Sequence, residues 1–527
     1  MIALMLAAAL AAPVAQKPAA PRKPAQNAGK GRLVVLVVVD QLRYQDLLWL
    51  SPELGPRGFA GMGRPVPMRY DTAVTETAAD HAVLSTGAYA DLNGIVGNRY
   101  VDDQGRHESV DDVLCPVWGG DGVGRSAAQL RVPTVGDAFK LGTNGQGRVV
   151  SVALKDRSAL FLAGTSADLA LWFEVSDGRM TSSTCYAQEP PPWLAQLWSA
   201  HPGAEWKDWV WSPLRADVLA RYVPQGQTEG AMPRDGLGRV FPHKVGQGKV
   251  DKALFTALRG TPAGTTIVLQ AARAAVAGLG LGDRDGTDLL EVAIASVDFV
   301  GHQFGTVSRE RVDTILRAHE ELSSFLDELR ARLGSRLSIV LTADHGLTPM
   351  ATDERRLHAP GGTVDIDALT KKLNAVLEQS LGVRQGGWVE GIDGSAVTLR
   401  RPHPGRALGI AADLLRREPG LYRVVLADDV ARESSAVRHA IFPGRSGDIL
   451  IVPRPLWTLK KLTDGADHGS PWNDDALVPL AVQARGFALR TNGRVLDASQ
   501  VAPTVAVLLD TAPPAAAMAD PAVVREE

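Results

Sequence analysis

Three carboxylates and three imidazoles stand where side chains of this chain can converge. Asp40 ends the run Leu33–Val39, LVVLVVV; Asp298 and His302 follow Leu289–Val297 in the spacing Asp-x-x-x-His; Asp344 and His345 are adjacent after Leu337–Thr342. His468 lies in a loop, Asp467-His-Gly-Ser-Pro471. Singly, each has a structural explanation: Asp40 suits a helix cap, and a loop histidine is usually solvated. Together they form a mixed N/O donor set without thiolate, which suits two divalent ions that each keep an open position, zinc first and manganese or iron after it. The i, i+4 spacing puts Asp298 and His302 on one helical face. Thr77 adds a hydroxyl at the expected start of a helix that runs through His81 to Thr86-Gly87, where unpaired N–H groups and the helix dipole favour an anion. Threonine is also a common N-cap, and on this stretch alone the capping reading prevails. Lys155-Asp156-Arg157, after the apolar run Arg148–Leu154, is either a surface ion-pair cluster or a grip for an anion.

The elements that must position these residues are legible as patterns. Continuous β-branched runs at 33–39, 148–154, 289–297 and 337–342 predict strands buried on both faces of a parallel sheet. Their acids fall at the carboxyl ends of the strands, where open α/β sheets bind ligands. Helices are predicted over 249–278 and 308–333, a further core strand at 447–452, and a closing strand and helix at 478–482 and 501–509. The tryptophan-rich stretch from Trp172 to Trp211 reads equally as a lid over a pocket or as a packed subdomain. Residues 351 to about 452 alternate short helices and strands and read as an inserted α/β subdomain without chemistry of its own.

At 527 residues the chain has ample core material, and its 45% hydrophobic and 22% charged fractions are those of a globular protein. A net charge of −3 gives no general attraction to polyanions, so no nucleic-acid binding is expected. The apolar run Ile2–Ala12 predicts a signal peptide over residues 1–15, although the basic start of such segments is missing. A Pro/Ala/Lys-rich linker over 16–32 is expected to be disordered. No other run is long enough to span a bilayer. The two cysteines, Cys115 and Cys185, exclude a cysteine-rich metal site; one bridge or two free thiols fit equally.

The order and spacing of these residues resemble the alkaline phosphatase superfamily, and within it the threonine-nucleophile bacterial phosphatases of the PafA type, over most of the chain from Leu33 to Leu509. The resemblance implies an α/β three-layer sandwich with a mostly parallel central sheet flanked by helices. That catalytic domain spans 33–515, with cap insertions at about 172–248 and 351–446 and a frayed tail at 516–527. It implies one zinc held by Asp40, Thr77, Asp344 and His345 and another by Asp298, His302 and His468. The pattern Thr-x-x-x-His-(helix)-Thr-Gly selects Thr77 as the nucleophile. Asn98, in Gly-Ile-Val-Gly-Asn, corresponds to the family's phosphate-contacting asparagine. Lys155 and Arg157 match the Lys-x-Arg pair that grips phosphoryl oxygens in the monoesterase branch and that phosphodiesterase relatives generally lack. The implied protein is a periplasmic or secreted, monomeric phosphomonoesterase that acts on small phosphate esters through a phosphothreonine; a phosphodiesterase or nucleotide pyrophosphatase on the same scaffold is the alternative. Cys115-Pro-Val-Trp118 lacks the Cys-x-Pro-x-Arg motif of sulfatases. One departure stands out: many relatives carry Pro-Gly or Pro-Asn before the histidine, and this chain has Ala79-Asp80, which brings an extra carboxylate close to Thr77.

Overall fold

The β-branched run at the start of the folded chain lies inside a nine-stranded sheet. The computed structural model describes residues 31–526 apart from 60, 63, 103–104, 200–202, 227, 351, 353–359, 462–464 and 492. The strands are β1 (Arg32–Val39), β2 (Val66–Arg69), β3 (Val149–Ala153), β4 (Leu169–Glu174), β5 (Arg179–Thr181), β6 (Thr287–Ile294), β7 (Leu337–Thr342), β8 (Leu477–Gln483) and β9 (Leu496–Asp497). Their spatial order is β9-β2-β8-β7-β1-β6-β3-β4-β5. The block β7-β1-β6-β3-β4 is parallel, and β8 and β5 join it antiparallel at either side. Every side chain from Leu33 to Val39 is at most 1% exposed, as a parallel strand covered on both faces requires.

One helical layer contains α1 (Thr77–Thr86), α2 (Asp156–Ala163) and Val501–Leu509; the other contains Ala263–Leu279, α3 (Ser296–Phe304) and α4 (Arg309–Leu333). This is the expected three-layer sandwich. The helix expected over 249–278 is two helices, Lys252–Arg259 and Ala263–Leu279. Gly260-Thr-Pro262 interrupts them because proline cannot supply the N–H that continues the ladder. Helix α1 is buried along its whole length and ends at Gly87, whose φ of 69° permits the left-handed cap that returns its N–H to Val83 O.

The insertions differ from expectation. Trp172 belongs to core strand β4, so the first insertion begins later than 172. Trp211 is fully buried and donates from Nε1 to Asp313 Oδ2 on α4 at 2.7 Å, with its ring edge-on to Phe241. It packs a subdomain onto the core. Ile449–Pro453, expected in the main sheet, instead joins Val389–Asp393, Ala396–Leu399 and Leu421–Leu426 in a separate four-stranded sheet. That sheet and helices Ile366–Leu381 and Arg406–Leu415 share their own apolar core, with Leu373, Leu377, Leu415 and Ile451 inside it. The second insertion therefore reaches past 446. The tail expected to fray carries a strand, Val523–Arg525, paired with Phe487–Leu489. Cys115 and Cys185 form a disulfide, Cα to Cα 5.2 Å. The signal-peptide expectation and nearly all of the linker lie outside the described residues; Arg32, placed in the linker, already belongs to β1.

Candidate active site

The carboxyl edge of the parallel block gathers the predicted residues. Asp40 follows β1, Lys155 follows β3, Asp344 follows β7, and Asp298 lies in the first turn of the helix after β6. Thr77 is the first residue of α1; Glu76 occupies the cap position and makes no side-chain cap bond. Thr77 is therefore not the cap, and its Oγ1 is free to face the sheet edge, 3.4 Å from His345 Nε2 and 3.1 Å from Lys155 Nζ, which donates to it.

Three imidazoles converge with a common orientation. Nδ1 of His302 bonds Ala466 O at 2.9 Å, Nδ1 of His345 bonds Gly346 O at 3.0 Å, and Nδ1 of His468 bonds Thr75 O at 2.8 Å. A carbonyl can only accept, so each ring carries a proton on Nδ1 and turns Nε2 inward, with a lone pair there when the ring is neutral. His345 Nε2 lies 3.6 Å from Asp40 Oδ1 and 3.4 Å from Asp344 Oδ2. His302 Nε2 lies 3.1 Å from Asp298 Oδ1, and His468 Nε2 4.0 Å from the same oxygen. Two donor groups result, Asp40/Asp344/His345 and Asp298/His345/His468, with His302 and Asp467 beside the second. Asp40 Oδ1 and Asp344 Oδ2 are buried and accept no hydrogen bond from the described residues. This donor set fits divalent cations: Asp40 Oδ1 and Asp344 Oδ2 lack partners among the described residues and the imidazole Nε2 atoms point the same way.

Burial shapes the charges. It lowers His345 to about 3 and His468 well below its ordinary value, keeping both neutral as ligands must be. Burial raises Asp344 to about 6, and burial with Asp344 beside it raises Asp40. Burial would also raise Asp298, but Lys155 and His302 outweigh it and hold that carboxyl well below the usual range. His302 is pushed up to about 9, the Asp298 carboxylate overcoming burial.

Lys155 Nζ bridges Asp40 Oδ2 and Asp298 Oδ2, each at 2.7 Å, so its ammonium stands between the two donor groups. Arg157 touches none of the other expected site residues among the described residues, but its charge is felt at Glu76 and His81. Asn98 accepts at Oδ1 from Ala78 N at 3.0 Å and donates its own backbone N–H to Glu76 Oε2 at 2.7 Å, which leaves its amide NH2 to donate elsewhere. Asp80 is fully buried with neither oxygen hydrogen-bonded by the described residues, and burial, with Asp344 next, raises it well above its ordinary value. It is a buried group that favours its neutral form, and the carboxylates that push it up, Asp344, Glu76 and Asp40, belong to the site's edge.

Four residues with roles at this edge carried no signal as types. Glu76 holds Asn98, and Asp467 approaches His302 Nδ1 at 3.8 Å. Asp475 accepts from Gly469 N, Ser470 N and Ser470 Oγ and so shapes the loop that carries His468. Gln41 hydrogen-bonds Asp298 and Asp344. A cleft of about 610 Å3 opens over the centre, with Asn98, His302 and His468 on one side and Asp393, Thr370 and Lys461 of the second insertion on the other. The subdomain expected to lack chemistry thus walls the cleft, and the described residues of the tryptophan-rich stretch do not line it.

This chain belongs to the type I phosphodiesterase / nucleotide pyrophosphatase family, whose profile it matches over residues 34–471. Within that family its relatives include the alkaline phosphatase PafA of Elizabethkingia meningoseptica, 29% identical over 93% of each chain. A Myroides odoratus protein named calcium-transporting ATPase is 28% identical over 91% of this chain and 92% of its own. The crystal structure of wild type PafA superposes with a TM-score of 0.84 at 27% identity, covering 93% of this chain and 98% of that one. The protein is accordingly a phosphatase of the alkaline phosphatase superfamily. Among the described residues no helix is long and apolar enough to cross a membrane.

Proposed function

We propose that the protein is an exported phosphomonoesterase that transfers the phosphoryl group to Thr77 and then to water. The observation that carries this reading is the convergence of three inward-facing Nε2 atoms and three carboxylates around Thr77 Oγ1. Asp40, Asp344 and His345 with Thr77, and Asp298, His302 and His468, would hold one zinc ion each. When bound, such ions supply Lewis acidity that lowers the pKa of a hydroxyl and neutralises a departing ester oxygen.

Thr77 gives up its hydroxyl proton to water and its Oγ1 attacks phosphorus opposite the ester oxygen; a P–O bond to Thr77 forms, the P–O bond to the alcohol breaks, and the departing alkoxide takes a proton from water. Asn98, Lys155 and Arg157 hold the non-bridging oxygens, where negative charge must be matched. With the alcohol gone, water attacks the phosphothreonine from the vacated side; a P–O bond to water forms, the P–O bond to Thr77 breaks, Oγ1 takes back a proton, and inorganic phosphate leaves. The N-terminal N–H groups of α1 favour the anion throughout. The disulfide between Cys115 and Cys185 supports a periplasmic or secreted location, because such bonds persist in oxidising compartments.

The test is phosphate release from an aryl phosphate and from its methyl diester, after chelation and after zinc is restored. The reading predicts zinc-dependent turnover that strongly favours the monoester and is absent in Thr77→Ala. Comparable rates on both esters would make it a diesterase, and full activity in Thr77→Ala would end the nucleophile assignment.

A further inference from the structure

Besides Lys155, a second residue touches a carboxylate of each donor group. Gln41 donates its backbone N–H to Asp344 Oδ1 at 3.0 Å and its side-chain amide to Asp298 Oδ1 at 2.8 Å. It is fully buried and has a φ of +67°, a backbone conformation disfavoured for a residue with a Cβ and retained where surroundings over-determine it. The surroundings do so here. Arg311, from α4, donates from Nη1 to Gln41 Oε1 and from Nη2 to Gln41 O, both at 2.7 Å. Arginine only donates, so Oε1 must face Arg311, and the NH2 group is thereby turned to Asp298. Arg311 is itself held by Asp46 Oδ2 at 2.9 Å, and Asp46 in turn accepts from Arg43. A Cβ at residue 301 would collide with Gln41 Oε1 and Arg311 Nη1, so the glycine in Asp298-Phe-Val-Gly-His302 leaves the room this clamp needs.

We propose that Gln41, clamped by Arg311, is a positioning residue that sets the spacing and carboxylate orientation of the two metal-holding groups. The inference rests on the two-metal reading of the site. Each bond engages one oxygen of its aspartate: with Oδ1 tied to Gln41, Asp298 Oδ2 reaches Lys155 and Asp344 Oδ2 turns toward His345 Nε2. The two tethers differ in kind. The bond to Asp344 belongs to the backbone and survives substitution, whereas the bond to Asp298 belongs to the side chain and does not.

That asymmetry makes the role measurable with zinc alone, by chelator competition on the full chain, with far-UV circular dichroism to confirm folding. Wild type should bind two zinc ions. Gln41→Leu, which keeps bulk and loses the amide, should weaken one of them by roughly 10- to 100-fold, as loss of a partner behind a metal ligand does, and leave the other within a few-fold. Gln41→Gly keeps the backbone N–H and suits the positive φ; it should show the same split and serves if Gln41→Leu does not fold. Asp298→Asn weakens the same ion, so adding Gln41→Leu to it should cost little more. Two ions bound by Gln41→Leu and Gln41→Gly with unchanged affinities would overturn the positioning role and leave the two-metal reading standing. So would equal weakening of both ions, or full additivity with Asp298→Asn. A wild-type chain that binds fewer than two ions would overturn the two-metal reading itself, and the inference with it.

Discussion

Glu291 sits in the middle of β6, opposite Leu36 of β1 and Ser151 of β3, with no solvent exposure. Among the described residues neither carboxylate oxygen has a hydrogen-bond partner, and neither does Ser151 Oγ. Burial, with a smaller push from Asp137, raises its pKa from 4.5 to about 8. An acid whose folded pKa lies above its unfolded one is bound to its proton more tightly in the folded state. Its contribution is therefore most favourable below pH 4.5, falls as pH rises, and is flat again above about 8. At roughly 1.4 kcal/mol per pH unit over that window, the loss is on the order of 5 kcal/mol. Glu291→Met removes the titration and keeps an unbranched chain in the slot. Thermal unfolding of both proteins, equally loaded with metal, should show the variant gaining on wild type by about 4 °C between pH 5 and pH 9, since part of the loss is already complete at pH 5, taking roughly 1 kcal/mol per degree for about 500 ordered residues. Because other buried carboxyls are common to both proteins, the difference isolates this one. An offset between the two melting temperatures that is the same at pH 5 and pH 9 would refute the reasoning.

Lys155→Ala and Arg157→Ala should depress hydrolysis of an aryl phosphate by at least tenfold more than that of its methyl diester, since a diester carries less charge to match; kcat/KM on the two substrates measures this. Glu76→Ala removes the acceptor that holds the Asn98 backbone N–H and should lower kcat/KM by about tenfold, the worth of one hydrogen bond at roughly 1–1.5 kcal/mol, with zinc content unchanged. Cys115 and Cys185 are 70 residues apart in sequence, so Cys115→Ala/Cys185→Ala should lose about 4 kcal/mol on the chain-entropy estimate. Thermal unfolding with and without reductant checks that value.

The acids at strand ends were legible because a buried parallel strand is a pure apolar run, and a charged residue that terminates it has few places to go. Asp40, Asp298 and Asp344 are found this way, and the helical spacing then brings in His302. Ile449–Pro453 is an apolar, fully buried run like Leu33–Val39 of β1 and sits in a different sheet, because which sheet a strand joins depends on distant partners as well as on its own residues. The tryptophans pointed equally to a lid and to packing, and Trp211 shows why: its ring is buried while its N–H reaches Asp313. Asp80 looked like a threat to an incoming phosphate; its burial, invisible in the sequence, raises its pKa so that the group favours its uncharged form. Gln41 was silent because its role comes from a positive φ and from Arg311, 270 residues away in sequence.

The central claim is that Thr77 carries the phosphoryl group between substrate and water. Acid quench of the zinc-loaded protein during turnover of an aryl phosphate, followed by peptide mass spectrometry, tests it most directly. The account predicts a single phosphate on Thr77, within the peptide that contains Ala78-Ala-Asp-His81, lost in Thr77→Ala together with turnover. Turnover with no phosphorylated peptide, or with phosphate on another residue, would contradict it.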